Sequence, residues 1–298
     1  MKKVTSSRVF QIPFPRSVGK INYRGMFELY LKEVRRFTKI WTQTVLAPSI
    51  TVILFLIVFS YAFDRPAVGG VPFSDFLVPG LIMMTIIQNA FANTSSSILI
   101  AKVQGNIVDV LMPPLGPIEL LFAWSLGAIS RGLAVGFVSG LIMSLFADIH
   151  FYNFWLILYF AFTGSMFMAF AGIIGAIWAD KFDHLAVVVL TSILFSLGGV
   201  INALFAKSFD DISIIPTFVI TPLTFLSGTF YTVDRLPEAL RFICNYNPFF
   251  YVIDGFRYGF LGHETISINI GIFVTGLTSL ILMLISYIFV RTGYKLKN

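Results

Sequence analysis

A chain of 298 residues in which 57% are hydrophobic and 12% charged cannot hide its apolar surface in a water-soluble fold, where about a quarter of residues carry charge. The formal charge of +6 would suit a nucleic-acid binder, but ten of the 21 Lys and Arg precede the first long apolar run. They stand at Lys2, Lys3, Arg8, Arg16, Lys20, Arg24, Lys32, Arg35, Arg36 and Lys39, which points to a membrane topology signal and excludes nucleic acid as the partner.

Seven apolar runs follow: Thr44 to Phe63, Phe76 to Ile100, Leu120 to Ala147, Tyr152 to Ala179, Leu185 to Ala206, Ile212 to Val233 and Thr265 to Val290. Only the third contains a charge, Arg131. A helix needs about 20 apolar residues to cross the hydrocarbon core, and the runs are continuous where a β-barrel would alternate. The expected fold class is an all-α integral membrane protein, a polytopic helical bundle of six to seven spans.

Residues 1–22 are basic and broken by Pro13 and Pro15, and read as a cytoplasmic tail. No apolar core precedes Thr44, so the tail is expected to stay on the mature protein. Over residues 23–41, Phe27, Leu31, Val34, Phe37 and Trp41 recur at helical steps while Lys32, Glu33, Arg36 and Lys39 take the other side. That pattern predicts an amphipathic helix in the headgroup layer, or one packed on a soluble partner. A membrane domain then occupies residues 42–298.

In the second run Gln88, Asn89, Asn93, Thr94, Ser96 and Ser97 form a polar stripe, facing either a pathway or other helices. It leads into AKVQGNIVDVLMPPLGPIE, which is too polar for lipid. Ile107, Val110 and Leu111 share one face there, and Pro113-Pro114 ends the helix. In the third run Ala128, Gly132, Gly136 and Gly140 make a small-residue face for close helix approach, beside Arg131, which contacts either structure or substrate. Asp148-Ile149-His150 has no Lys or Arg, as expected of an external turn.

Residues 162–188 and 189–215 match at an offset of 27, with Ser165, Gly172, Ile174, Ala176, Ala179, Phe182 and Asp183 repeated as Ser192, Gly199, Ile201, Ala203, Ala206, Phe209 and Asp210. This reads as a local duplication that adds one apolar segment. Pro216, Pro222 and Gly228 break the sixth run. Beyond it, Pro237 opens a short helix through Leu240 and Phe242, and Asn247-Pro248 caps another carrying Tyr251, Asp254 and Arg257. Such half-buried, re-entrant helices need protein or water around them.

No catalytic constellation stands out. Gly19-Lys20 is followed by Ile21 and lacks the upstream glycine of a phosphate loop. His150, His184 and His263 are scattered, and Cys244 is the one cysteine, so neither a metal site nor a disulfide is expected. The chain is expected to bind no cofactor and to be no enzyme.

FLVPGLIMM, NIVDVLMPPLGPIE, KSFDDISIIPTFVITPLTFLSGTFY and LPEALRFICNYNPFFYVIDGFRYGFLG resemble, in type and order, blocks of the ABC-2 exporter permeases. The resemblance is greatest to the branch holding the YadH-like and nodulation-factor exporter permeases. It implies a homodimeric half-transporter in the bacterial inner membrane, paired with two copies of a cytoplasmic ABC ATPase that binds ATP-Mg. The cargo is then amphipathic, lipid-linked, saccharide or drug-like. By the same resemblance Gln104, Asn106, Ile107, Asp109, Val110 and Leu111, within about 102–113, form the coupling helix on that ATPase, and residues 23–41 the interface helix. The segments 225–231 and 236–250 become partly inserted elements at the external mouth. Gln88, Asn89, Asn93, Arg131, Phe225, Phe230 and Tyr231 are the candidates for pathway or dimer interface. A secondary carrier or a lipid-modifying enzyme would need mid-membrane or interfacial acids and histidines, which these runs lack.

The duplication departs from the six-span pattern. Seven crossings from a cytoplasmic N-terminus leave Arg291, Lys295 and Lys297 outside, so charge favours a cytoplasmic C-terminus with Leu185 to Ala206 not crossing completely. Gly198-Gly199 is the point at which that segment would break.

Overall fold

The computed structural model describes residues 21–62, 71–178, 221–231, 238–262 and 267–293. Among them, α1 (Tyr23–Lys39) leads through a π turn (Thr42–Leu46) into α2 (Ala47–Ala62). There follow α3 (Phe73–Val103), α4 (Ile107–Leu111), α5 (Pro117–Met143), α6 (Phe154–Trp178), α7 (Thr221–Leu226), α8 (Glu238–Tyr246), α9 (Pro248–Leu261) and α10 (Ile268–Thr292). Among the described residues, five helical stretches are long and apolar enough to cross a membrane: Thr42–Ser60, α3, α5, α6 and α10. The helical membrane bundle expected from the sequence is the fold observed. The duplicated turns and the run from Leu185 to Ala206 lie outside the described residues.

The corner between α1 and α2 is closed by Thr44. Its hydroxyl donates to the carbonyl oxygens of Phe37 at 2.7 Å and Ile40 at 3.1 Å. Those acceptors lie where α1 ends and the chain widens into the π turn, and the Ile40 carbonyl oxygen also accepts from the backbone N–H of Gln43 and Thr44 at 3.0 Å.

The axis of the bundle is α3, whose Leu77, Leu81, Met83, Ile87 and Ala90 are fully enclosed. Its 31 residues span about 46 Å at 1.5 Å per residue, against a core of about 30 Å, so it projects beyond the hydrocarbon. The glycine face of α5 lies against it. A Cβ on Gly132 would stand 2.9 Å from the Ile86 carbonyl oxygen, and one on Gly136 would overlap the Ile86 side chain. In lipid, where burial adds little drive, such close backbone approach is what holds helices together.

Two apolar clusters mark the two ends. Leu29, Leu99, Ile107, Trp124, Ile177 and Val290 meet at the end carrying α1 and α4, while Phe76, Met143, Ile157, Phe160 and Phe256 meet toward the other. Hence α2 and α5 run away from the α1 end, and α3, α6 and α10 return to it. At the far end the backbone of Tyr152 and Asn153 donates to the carbonyl oxygens of Phe260 and Gly259 at 3.2 and 2.7 Å, tying α6 to α9.

The described part of the sixth apolar run, residues 221–231, holds the six-residue α7, which stops at Ser227-Gly228, where Gly228 takes φ 78°. Asn247 caps α9 by accepting from Phe249 N at 3.1 Å, and Pro248 opens that helix, as the Asn-Pro pair predicts.

Candidate functional site

Between α3 and α5 the chain turns at Gly105, with φ 72°, into the single turn of α4. Ile107 and Val110 are each 8% exposed and, with the partly buried Leu111, pack into the cluster that holds Leu29. Gln104, Asn106 and Asp109 point outward. The six sequence candidates therefore divide into three anchors and three surface groups. Val108 at 53% and Met112 at 76% exposure complete that surface. Pattern reading had only named the inward face; the pair lies four residues apart on the opposite side, where the same periodicity could have found it.

The platform is bonded to α1. Glu119, 6% exposed, accepts from the backbone N–H of Asn22 at 2.5 Å and from Gly116 N at the start of α5. Asn22 also caps α1, accepting from Gly25 N at 2.9 Å, and donates to the Pro114 carbonyl oxygen at 3.2 Å. One carboxylate thus links the start of α1 to the turn that follows α4.

Further along α1 one member of the charged side is buried. Lys32 and Lys39 are exposed, but Glu33 is 1% exposed and lies against α3 and α5, with a Cβ on Gly127 reaching within 2.6 Å of the Glu33 Cβ. Glu33 pairs with Arg36 at 3.1 Å and accepts from Ser97 Oγ at 2.6 Å. Arg36 donates to Ser96 Oγ at 3.0 Å, to the Asn93 carbonyl oxygen at 2.7 Å and to Asn93 Oδ1 at 3.1 Å. Meanwhile Phe27 and Trp41, from the stripe read as the apolar face, are 55% and 56% exposed. Helical spacing alone cannot say that the facing helix is polar too.

The stripe on α3 consequently divides among its neighbours. Asn93, Ser96 and Ser97 meet α1; Asn89 Oδ1 accepts from Arg131 Nη2 at 3.1 Å; and Thr94 donates to the Ala169 carbonyl oxygen on α6 at 3.0 Å. Gln88 donates to Thr221 Oγ1 at 3.1 Å, which sets the start of α7 halfway along α3.

From there α7 runs toward the far end. Phe225 and Phe230 pack edge-on or tilted against Phe55 and Phe59 of α2, the closest rings being Phe59 and Phe230 with centroids 4.5 Å apart. Tyr231, partly buried, closes this stretch. The break is held by Asn247, the cap expected from the sequence, and by Arg257, for which the sequence suggested no role. Asn247 donates to the Leu223 carbonyl oxygen at 2.9 Å and to Ser227 Oγ at 2.8 Å. Arg257, 5% exposed, donates to the Gly228 carbonyl oxygen at 2.8 Å and lies 4.0 Å over the Phe76 ring. Main-chain oxygens freed by the turn are thereby satisfied at membrane depth. Among the described residues, no group of three or more His, Cys, Asp or Glu is placed to hold a metal ion.

With this geometry in hand, comparison with known proteins is informative. Residues 25–188 and 182–261 match the family described as ABC-2 type transporter. The two matches overlap at the first Phe-Asp turn of the repeat, Phe182-Asp183. The chain is 36% identical over 236 residues to the inner membrane transport permease YadH of Escherichia coli strain K12, covering 78% of this chain and 82% of that protein. It is 34% identical over 91 residues to nodulation protein J of Rhizobium leguminosarum bv. trifolii, covering 30% of this chain and 35% of that protein.

Proposed function

The chain belongs to the ABC-2 type transporter family and is a membrane transport permease, and on that premise we propose that it is the membrane subunit of an exporter driven by a separate cytoplasmic ATPase. The observation that carries this reading is the surface of α4. A single helical turn is clamped between two long membrane helices, with Val108, Asp109 and Met112 turned away from the bundle. An apolar pair flanking one carboxylate suits a groove on a partner protein, and every inward residue of α4 is engaged with the helices that a partner would have to move. The sequence has no phosphate loop of its own, so the nucleotide belongs to that partner.

The basic N-terminal segment assigns the α1 end to the cytoplasm, and the relatives' name suggests the bacterial inner membrane. Within one chain α2 and α10 bury few of their residues, and two copies with two ATPase subunits would cover part of those faces. The cargo we assign is amphipathic or lipid-linked, moved from the cytoplasmic side outward. Inverted vesicles holding the permease and its ATPase test the whole assignment: ATP-dependent accumulation of a fluorescent lipid supports it, and accumulation without ATP but driven by an ion gradient would replace it with a secondary carrier. ATP binding by the isolated chain would equally overturn it.

A further inference from the structure

The polar cluster between α1, α3 and α5 holds two cations and one carboxylate. Glu33 is committed to Arg36, at 3.1 Å. Arg131 has no carboxylate beside it among the described residues and donates a hydrogen bond to Asn89 Oδ1 at 3.1 Å, although a guanidinium carries five N–H donors. The Nε atoms of Arg36 and Arg131 are both enclosed without a partner. Asn93 and Asn89, which receive the two guanidiniums, are four residues apart on one face of α3, so the cations stand about one helical turn from each other.

Two like charges so placed, with spare donors and a single acid between them, leave a net positive charge inside a bundle where uncompensated charge is costly. Arg36 stands in the last turn of α1, whereas Arg131 lies midway along Pro117–Met143, away from either helix end from which it could reach water. Yet both keep an open flank: the Arg36 side chain is 30% exposed and Arg131 is partly exposed. Beyond Arg131, Ala134, Val138 and Ile142 continue its face of α5 at steps of three and four residues, all apolar and partly exposed. A charged head and an apolar lane therefore adjoin.

We propose that Arg131, with Arg36 beside it, binds the acidic headgroup of an amphipathic molecule, a phosphate or carboxylate whose chain lies along Ala134, Val138 and Ile142. Guanidinium groups pair with such oxyanions in two-pronged fashion, which at the open flank would neutralise the excess charge. The proposal rests on the permease reading for the fate of the ligand, as cargo or as resident lipid, but not for its binding.

The test uses the full chain in a neutral detergent, with dioctanoyl phosphatidylglycerol, dioctanoyl phosphatidylcholine and inorganic phosphate as probes. Wild-type protein is expected to bind the anionic lipid about tenfold more tightly than the zwitterionic one, and Arg131→Gln to reduce that ratio to about twofold or less. Arg131→Lys keeps the charge and should retain part of the preference, which separates loss of charge from loss of fold, while Arg291→Gln on the exposed end of α10 should leave it unchanged. Competition by inorganic phosphate assigns the site to the head alone; binding of the lipid without such competition assigns it to head and chain together, and both support the site. An unchanged preference in Arg131→Gln, or none in the wild type, overturns it. Should lipid binding stand while no variant, wild type included, transports with ATP, the permease reading fails and the site remains.

Discussion

Glu119 holds the backbone N–H of Asn22 at 2.5 Å across a sequence separation of 97 residues, and so fastens the start of α1 to α5. Replacing it by Ala leaves two main-chain donors, Asn22 N and Gly116 N, without their acceptor. The expected cost is about 1–3 kcal/mol, the usual range for a buried donor left unsatisfied. A lower thermal transition of Glu119→Ala in detergent, with Glu119→Gln in between, is the outcome to look for. A transition equal to wild type would show that water replaces the carboxylate freely.

The two faces of α4 should separate experimentally. Val108→Asp with Met112→Asp changes only exposed positions, so stability is expected to stay within about 0.5 kcal/mol of wild type, as for surface changes generally. Cargo-stimulated ATP hydrolysis by the assembled exporter is expected to fall at least several-fold. Ile107→Asp instead puts a charge into the cluster around Leu29, and should lower stability before any coupling is measured. Full coupling in the double variant would mean that the partner docks elsewhere.

The helical membrane class and the family were readable before any coordinates, because span-length apolar runs and proline-bounded blocks are properties of the chain itself. Helix α4 and the Asn247-Pro248 cap were equally legible, since their signals lie within a few residues. What sequence could not supply was partnership. Glu33 and Arg36 look like a solvated face until α3 presents Asn93, Ser96 and Ser97 to them. Arg257 looks like an interfacial charge until the turn at Gly228 offers it a carbonyl oxygen. Both depend on pairs at least 28 residues apart, and the residue that decides each case is a neighbour in space only.

The glycine face of α5 gives a packing test. A side chain at Gly136 would meet Ile86 of α3, so Gly136→Leu must push two central helices apart, at about 1–3 kcal/mol or more for overpacking. Phe137→Ala, one position on and 72% exposed, is expected to change stability little. Equal thermal transitions for Gly136→Leu and wild type would place this face toward lipid.

The number of crossings is the question that charge and apolar-run counting answered in opposite ways. Seven apolar runs suggest an odd total, while Arg291, Lys295 and Lys297 favour the side of the basic N-terminus. The described helices bear on this directly. Val290 near the end of α10 packs in the same cluster as Leu29 of α1, and Ile268 at its start packs at the end that holds Ile157 and Phe260. The last described residue, Gly293, therefore lies at the α1 end, so the chain makes an even net number of passages between α1 and that residue. Two cysteines in a Cys244→Ser background test whether the α1 end is the cytoplasmic one. Tyr152→Cys is at the far end, where the native side chain is 64% exposed, and Thr292→Cys sits on the exposed last turn of α10. A membrane-impermeant thiol reagent added to intact cells is expected to label the first and spare the second, with permeabilised cells labelling both. Labelling of Thr292→Cys from outside would contradict the shared end of α1 and α10, or the cytoplasmic placement of the basic tail. A second probe at Lys3→Cys distinguishes those two, because it reacts from outside only if the tail itself is external.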